Sequence, residues 1–266
     1  MSKTKLISAF FALLLFFTAS PLFASPPGAC SLATLNGSYG YFGQTPGILV
    51  GDPPLQGVIV GIIRFNGKGN LSGESFTNVE GWGVAGADAF TGTYTVGPDC
   101  TYSGVHTDEG GETLHFVGTI TGSGMLQETH FIVTDPGWVA AGTDKKIQSA
   151  PCSVATLKGS FALFGEGTVT ALNPPAPLVH VGTANYDGAG NVTGSDTIML
   201  NGTETPDNYT ATYTVTEECR ISVEITSDAV GVVHELGWIV GEGKDTEVHL
   251  IVTDPGFLFT EATRKQ

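Results

Sequence analysis

Charge is scarce in this chain. Only 14% of its 266 residues are Asp, Glu, Lys or Arg, and 11 basic residues face 26 acidic ones. The formal charge of −15 argues against nucleic acid and anionic membrane surfaces as partners, since both repel such a chain. Apolar runs are few as well. The one run of note, Leu6 to Phe17, is too short for a comfortable transmembrane helix, and no later stretch is longer. Few stretches carry a helical period. Catalytic signatures are also missing. There is no Walker loop, no His-Glu-x-x-His and no Cys-x-x-Cys, and Asn36 spoils a Gly-x-Ser-x-Gly elbow around Ser38.

What is present begins with an export signal. Lys3 and Lys5 precede the apolar run, and Ala19, Ser20, Ala24 and Ser25 follow it. This is the layout of a secretory signal peptide, with cleavage expected after Ala24. Residues 1–24 are read as that signal, and the mature chain as secreted or periplasmic. Loss of Lys3 and Lys5 takes the charge from −15 to −17. Cys30 lies too far past the apolar run to be a lipid-bearing Cys, and its counterpart Cys152 lies in mid-chain.

The remainder is a duplication. Cys30-Ser31-Leu32-Ala33-Thr34-Leu35 returns as Cys152-Ser153-Val154-Ala155-Thr156-Leu157. Phe65-Asn66-Gly67 returns as Tyr186-Asp187-Gly188, Thr93-Tyr94-Thr95-Val96 as Thr212-Tyr213-Thr214-Val215, and Thr134-Asp135-Pro136-Gly137 as Thr253-Asp254-Pro255-Gly256. The expected domains are residues 25–147 and 148–266. Four cysteines allow three pairings. Only Cys30–Cys100 with Cys152–Cys219 keeps each copy self-contained, in the oxidising setting that export supplies.

The 37 glycines punctuate short Thr-, Val- and aromatic-rich segments, which predicts strands joined by tight turns. In copy one these are 38–44, 57–65, 70–78, 89–96, 101–107, 112–121, 125–134 and 139–145. Eight antiparallel strands per copy predict an all-β protein of two tandem barrels, which leave no exposed edges. A two-sheet sandwich is the alternative. The meander, with its Phe-Asn-Gly-Lys-Gly-Asn turn and Gly-Thr-Tyr-Thr-Val strand, resembles small calycin-like or allene-oxide-cyclase-like barrels of secreted bacterial proteins. That resemblance implies a barrel with an apolar interior site and carries over no catalytic residue.

One chemical constellation recurs. His115, Glu128 and His130 match His234, Glu247 and His249, whereas His106 and His180 have no His counterpart. If Gly122-Ser123-Gly124 closes a two- or four-residue hairpin loop, His115 faces His130, with Glu128 on the same side. Two imidazoles and a carboxylate suit a divalent metal or acid–base work. The competing reading turns this face to solvent, because the opposite face carries Leu114, Phe116, Phe131 and Val133. Thr-Asp-Pro-Gly reads as turn chemistry. The Asn-Gly-x-Gly-Asn and Asp-Gly-x-Gly-Asn stretches read as bulged hairpins without the carboxylates of a Ca²⁺ cage. Trp82, Trp138 and Trp238 read as core or rim. The proline-rich segments 45–56 and 173–178 are either lids over a barrel mouth or plain loops.

Two classes of function follow. The first is a non-enzymatic binding or interaction protein holding a small apolar molecule in a barrel, or docking on an extracellular or envelope protein, with no cofactor required. The second is a barrel-type isomerase or cyclase, or a metal-dependent enzyme built on the His–Glu–His cluster.

Overall fold

A computed structural model describes residues 29–43, 47–49, 54–84 and 86–266. Residues 1–24, expected to be a signal, and half of the first proline-rich segment lie outside these residues. Strands of the first copy are β1 (Asn36–Gly43), β2 (Gly47–Leu49), β3 (Leu55–Asn66), β4 (Asn70–Val79), β5 (Asp88–Val96), β6 (Thr101–Asp108), β7 (Thr113–Thr121), β8 (Glu128–Val133), β9 (Trp138–Val139) and β10 (Ala141–Lys146). Those of the second are β11 (Lys158–Val169), β12 (Ala176–Asp187), β13 (Asn191–Leu200), β14 (Thr203–Val215), β15 (Arg220–Ser227), β16 (Gly231–Val240), β17 (Glu247–Val252) and β18 (Phe257–Lys265).

Each copy is a closed antiparallel barrel of eight strands, as the strand count predicts. The first closes where β1 pairs with both β3 and β10, and β2 and β9 form a short ribbon beside it. The second runs from β11 to β18 in chain order. Both disulfides form as expected, Cys30–Cys100 and Cys152–Cys219.

The repeated motifs are structural devices. Tyr94 Oη donates to the carbonyls of Leu32 and Leu35, and Tyr213 Oη donates to those of Val154 and Leu157. Each Tyr therefore pins the 3-10 turn (Leu32–Thr34 or Val154–Thr156) that follows the first cysteine of its copy. Asn66 Oδ1 accepts the amides of Lys68 and Asn70, and Asp187 Oδ1 accepts those of Ala189 and Asn191. These carboxyl and amide oxygens are thus committed to closing the hairpins.

The barrels share a seam. Inward residues of β3, Ile63 and Phe65, fill the first barrel. Outward residues Val58, Val60 and Ile62 join one core with Trp238, Val240, Ile251 and Leu258 of the second copy. This explains the nearly continuous apolar run Val58–Ile63, since β3 is buried on both faces. Asn78 stitches the seam by donating from Nδ2 to the carbonyls of Val252 and Phe257, at 3.1 and 2.9 Å.

The segment 173–178 is no lid. Its end belongs to β12, which pairs with β11 up to Val169 opposite Ala176. In the first copy, the described part of 45–56 includes β2, which pairs with β3 and β9 and extends the sheet.

Candidate functional site

The expected pairing of His115 with His130 does not form. The β7–β8 connection spans six residues, because Thr121 is the last residue of β7 in register, opposite Glu128. A 3-10 turn at Gly124–Leu126 occupies the loop. Thr119 therefore faces His130, and the His115 carbonyl accepts the Thr134 amide. Copy two is built alike: Trp238 faces His249, and His234 lies beside Thr253.

The six residues are dispersed into structural roles. His115 and His234 are half exposed on the outer surface. Asp135 accepts both the amide (2.5 Å) and Nδ1 (2.8 Å) of His115, and Asp254 does the same for His234 at 2.5 and 3.0 Å. The identical Thr-Asp-Pro-Gly turns thus brace the histidine strands. Glu128, His130, Glu247 and His249 gather at the seam around Lys145, whose Nζ lies 2.6 Å from Glu247 and 3.7 Å from Glu128. His249 is buried, stacks on Phe42 with ring centroids 3.6 Å apart, and contacts Glu247 at 3.1 Å. Burial opposes the Glu247 charge, but His249 and Lys145 outweigh it and hold the carboxyl down at about 2. A lysine in the middle repels a cation, and among the described residues no cluster of three His, Cys, Asp or Glu is arranged to hold a metal ion.

Space suited to a ligand lies inside the barrels. The first holds a cavity of about 390 Å³ lined by Ile59, Ile63, Phe90, Leu114, Phe116, Phe131 and Val133, with Trp138 also on its wall. This is within the range of small-molecule sites, roughly 300–1,000 Å³. Burial shifts two of its polar groups towards their neutral forms. His106 stacks on Phe90 at 4.6 Å, and burial lowers its pKa against the pull of Asp108, Asp135 and Asp88. Asp144 is wholly enclosed, and burial pushes its carboxyl up to about 7 although Thr129 and Tyr102 donate to it. Asp88 and Glu112, which also line the space, are exposed.

The second barrel holds a smaller cavity, about 90 Å³, with a different lining. His180 Nδ1 lies 2.7 Å from Asp196 Oδ2, and its Nε2 lies 3.2 Å from Glu261 Oε2, close enough for ion pairing though not aligned for a hydrogen bond. Burial opposes the imidazolium, but the two carboxylates outweigh it and raise His180 to about 10. Gly165 makes this contact possible. It lies between His180 and Glu261 in the barrel wall, and a Cβ there would come within 2.2 Å of His180 Nε2. Glu235 completes the group, its pKa raised by burial and by the Glu261 charge.

Recurrence between the copies points away from this cluster, because His180 has no counterpart. The alternation Leu178-x-His180-x-Gly182-x-Ala184-x-Tyr186 carries the signal instead: one histidine on an otherwise apolar or small face. No protein-family model matches the chain, and no curated protein matches it.

Proposed function

We propose that this chain is an exported, non-enzymatic binding protein that holds a small, uncharged, mostly apolar molecule in its first barrel. The observation that carries this reading is the cavity of about 390 Å³ inside the first barrel, apolar on most of its wall, where burial shifts His106 and Asp144 towards their neutral forms. Burying apolar ligand surface supplies the drive, at about 25 cal/mol per Å². His106 and the Tyr102–Asp144 pair supply orientation. Both disulfides suit an oxidising compartment, and no helix among the described residues is long and apolar enough to cross a membrane. The dispersal of the His–Glu–His residues gives the metal-enzyme reading no support.

A fluorescence titration with the neutral apolar dye N-phenyl-1-naphthylamine tests the proposal. Wild type is expected to bind it saturably, and Ile59→Trp, which fills the cavity, is expected to lose that binding while keeping its circular dichroism. A flat titration of folded wild type overturns the reading, and so does unchanged binding by a folded Ile59→Trp.

A further inference from the structure

The duplication supplies an internal control. His180, Asp196, Glu235 and Glu261 occupy wall positions that the first barrel fills with Ile59, Ser75, Phe116 and Gly142. The strand registers establish each equivalence: His180 faces Ile198 as Ile59 faces Thr77, and Asp196 faces Gly182 as Ser75 faces Gly61. Glu235 faces Val252 as Phe116 faces Val133, and Glu261 faces Gly165 as Gly142 faces Gly43. Both barrels close with the same eight strands, so the fold does not require the cluster. Stability does not explain it either, because burying an ion triad generally costs about as much desolvation as the pairing returns.

The cluster is also incomplete. Its single cation, His180, faces Asp196 and Glu261 while Glu235 stands by. Asp196 has a side chain only 5% exposed, yet its Oδ1 has no hydrogen-bond partner. Glu235 is buried as well, and burial together with the Glu261 charge opposes its ionisation. Both residues line the cavity, whose wall is otherwise mostly apolar. Unfilled buried acceptors carry a cost that a donor ligand would relieve.

We infer that the second barrel binds a small organic cation, a primary ammonium on a compact apolar body. An ammonium brings three donors and no acceptor, which matches the open Oδ1 of Asp196 and the neighbouring carboxyl of Glu235 on the same wall. An anion is disfavoured, because Asp196, Glu235 and Glu261 surround the one cation and the unbonded Nε2 of His180 already faces Glu261 at 3.2 Å. Burial and the Glu261 charge oppose ionisation of Glu235; a bound ammonium favours it, so the carboxyl pairs with the ligand as a carboxylate and any proton displaced goes to solvent. Asp207, also on this wall, is occupied by Ser227 Oγ at 2.6 Å and the Ala229 amide at 2.9 Å. Tyr209 donates its hydroxyl to the Thr183 carbonyl.

Isothermal titration of the full chain near neutral pH tests this, with benzylamine and butylamine as probes and benzyl alcohol and benzoate as controls. Buffers of different ionisation enthalpy report proton release. The amines are expected to bind saturably with net proton release. Benzyl alcohol should bind about tenfold or more weakly and benzoate not at all. Glu235→Gln keeps the shape, and it should abolish proton release and weaken amine binding by about tenfold or more. Ile59→Trp, in the other barrel, should leave amine binding intact, so the two proposals fail separately. The inference is overturned if neither amine binds, if benzyl alcohol binds as well as benzylamine, if Glu235→Gln changes neither affinity nor proton release, or if Ile59→Trp removes amine binding.

Discussion

Asp144 shows how one buried group sets a pH response. Its folded carboxyl is raised from 3.8 to about 7. Between those values the folded chain keeps a proton that the unfolded chain has lost, so stability is fully present below the lower value and falls as pH rises towards the upper one. Asp144→Asn removes that slope. Thermal melts should show the variant gaining on wild type progressively from about pH 4 to pH 7, by up to roughly 4 kcal/mol on the alkaline side of neutral, and nothing below pH 3.8. His180 is raised as well, from 6.5 to about 10, so its contribution is present below 6.5 and is lost as pH rises through 10. His180→Ala leaves Asp196 and Glu261 buried without their cation. At neutral pH it should cost about 3 kcal/mol in a urea titration, and a cost near zero would show the triad to be solvated.

Among the elements, the tyrosine anchors and disulfides hold the start of each copy. Tyr213→Phe removes a hydroxyl that donates to two carbonyls. It should lower stability by about 1–3 kcal/mol by leaving buried acceptors unfilled. Each disulfide closes a long loop, with separations of 70 and 67 residues, and its removal should cost about 4 kcal/mol in the chain-entropy model. The element scale is also where the sequence was most readable. Period-two alternation and Gly punctuation located all eight barrel strands of the first copy, because a half-buried strand must alternate. The β7–β8 loop is the exception, since Gly-Ser-Gly marks a turn without fixing its length. Gly122 and Gly124 both take positive φ around a 3-10 turn, and this lengthens the loop to six residues. The candidate site was less legible for a related reason. Recurrence between copies selects residues the shared fold needs, such as His115 braced by Asp135. The ionisable groups of the second cavity lie where the copies differ.

For the whole molecule, the seam decides whether the barrels behave as one body. Outer positions Trp238 and Val240 correspond to Thr119 and Thr121 of the first copy, so only the second copy presents an apolar face there. That face meets Val58, Val60 and Ile62, with Lys145 bridging the carboxylates of Glu128 and Glu247 at one edge. Lys145→Ala should lower stability by about 2 kcal/mol, between the values for exposed and buried pairs. Urea unfolding followed by the buried Trp238 should coincide with circular dichroism in a single transition. Two separated transitions would show that the barrels fold independently.

The central claim is that the first barrel encloses a ligand, and methyl NMR locates one directly. On titration with N-phenyl-1-naphthylamine, the methyls of Ile59, Ile63, Leu114 and Val133 on the cavity wall should shift together and saturate. Those of Val179 and Val181, exposed on the outside of the second barrel, should stay in place. Shifts confined to the exposed valines, or none at all in the folded protein, would contradict the account.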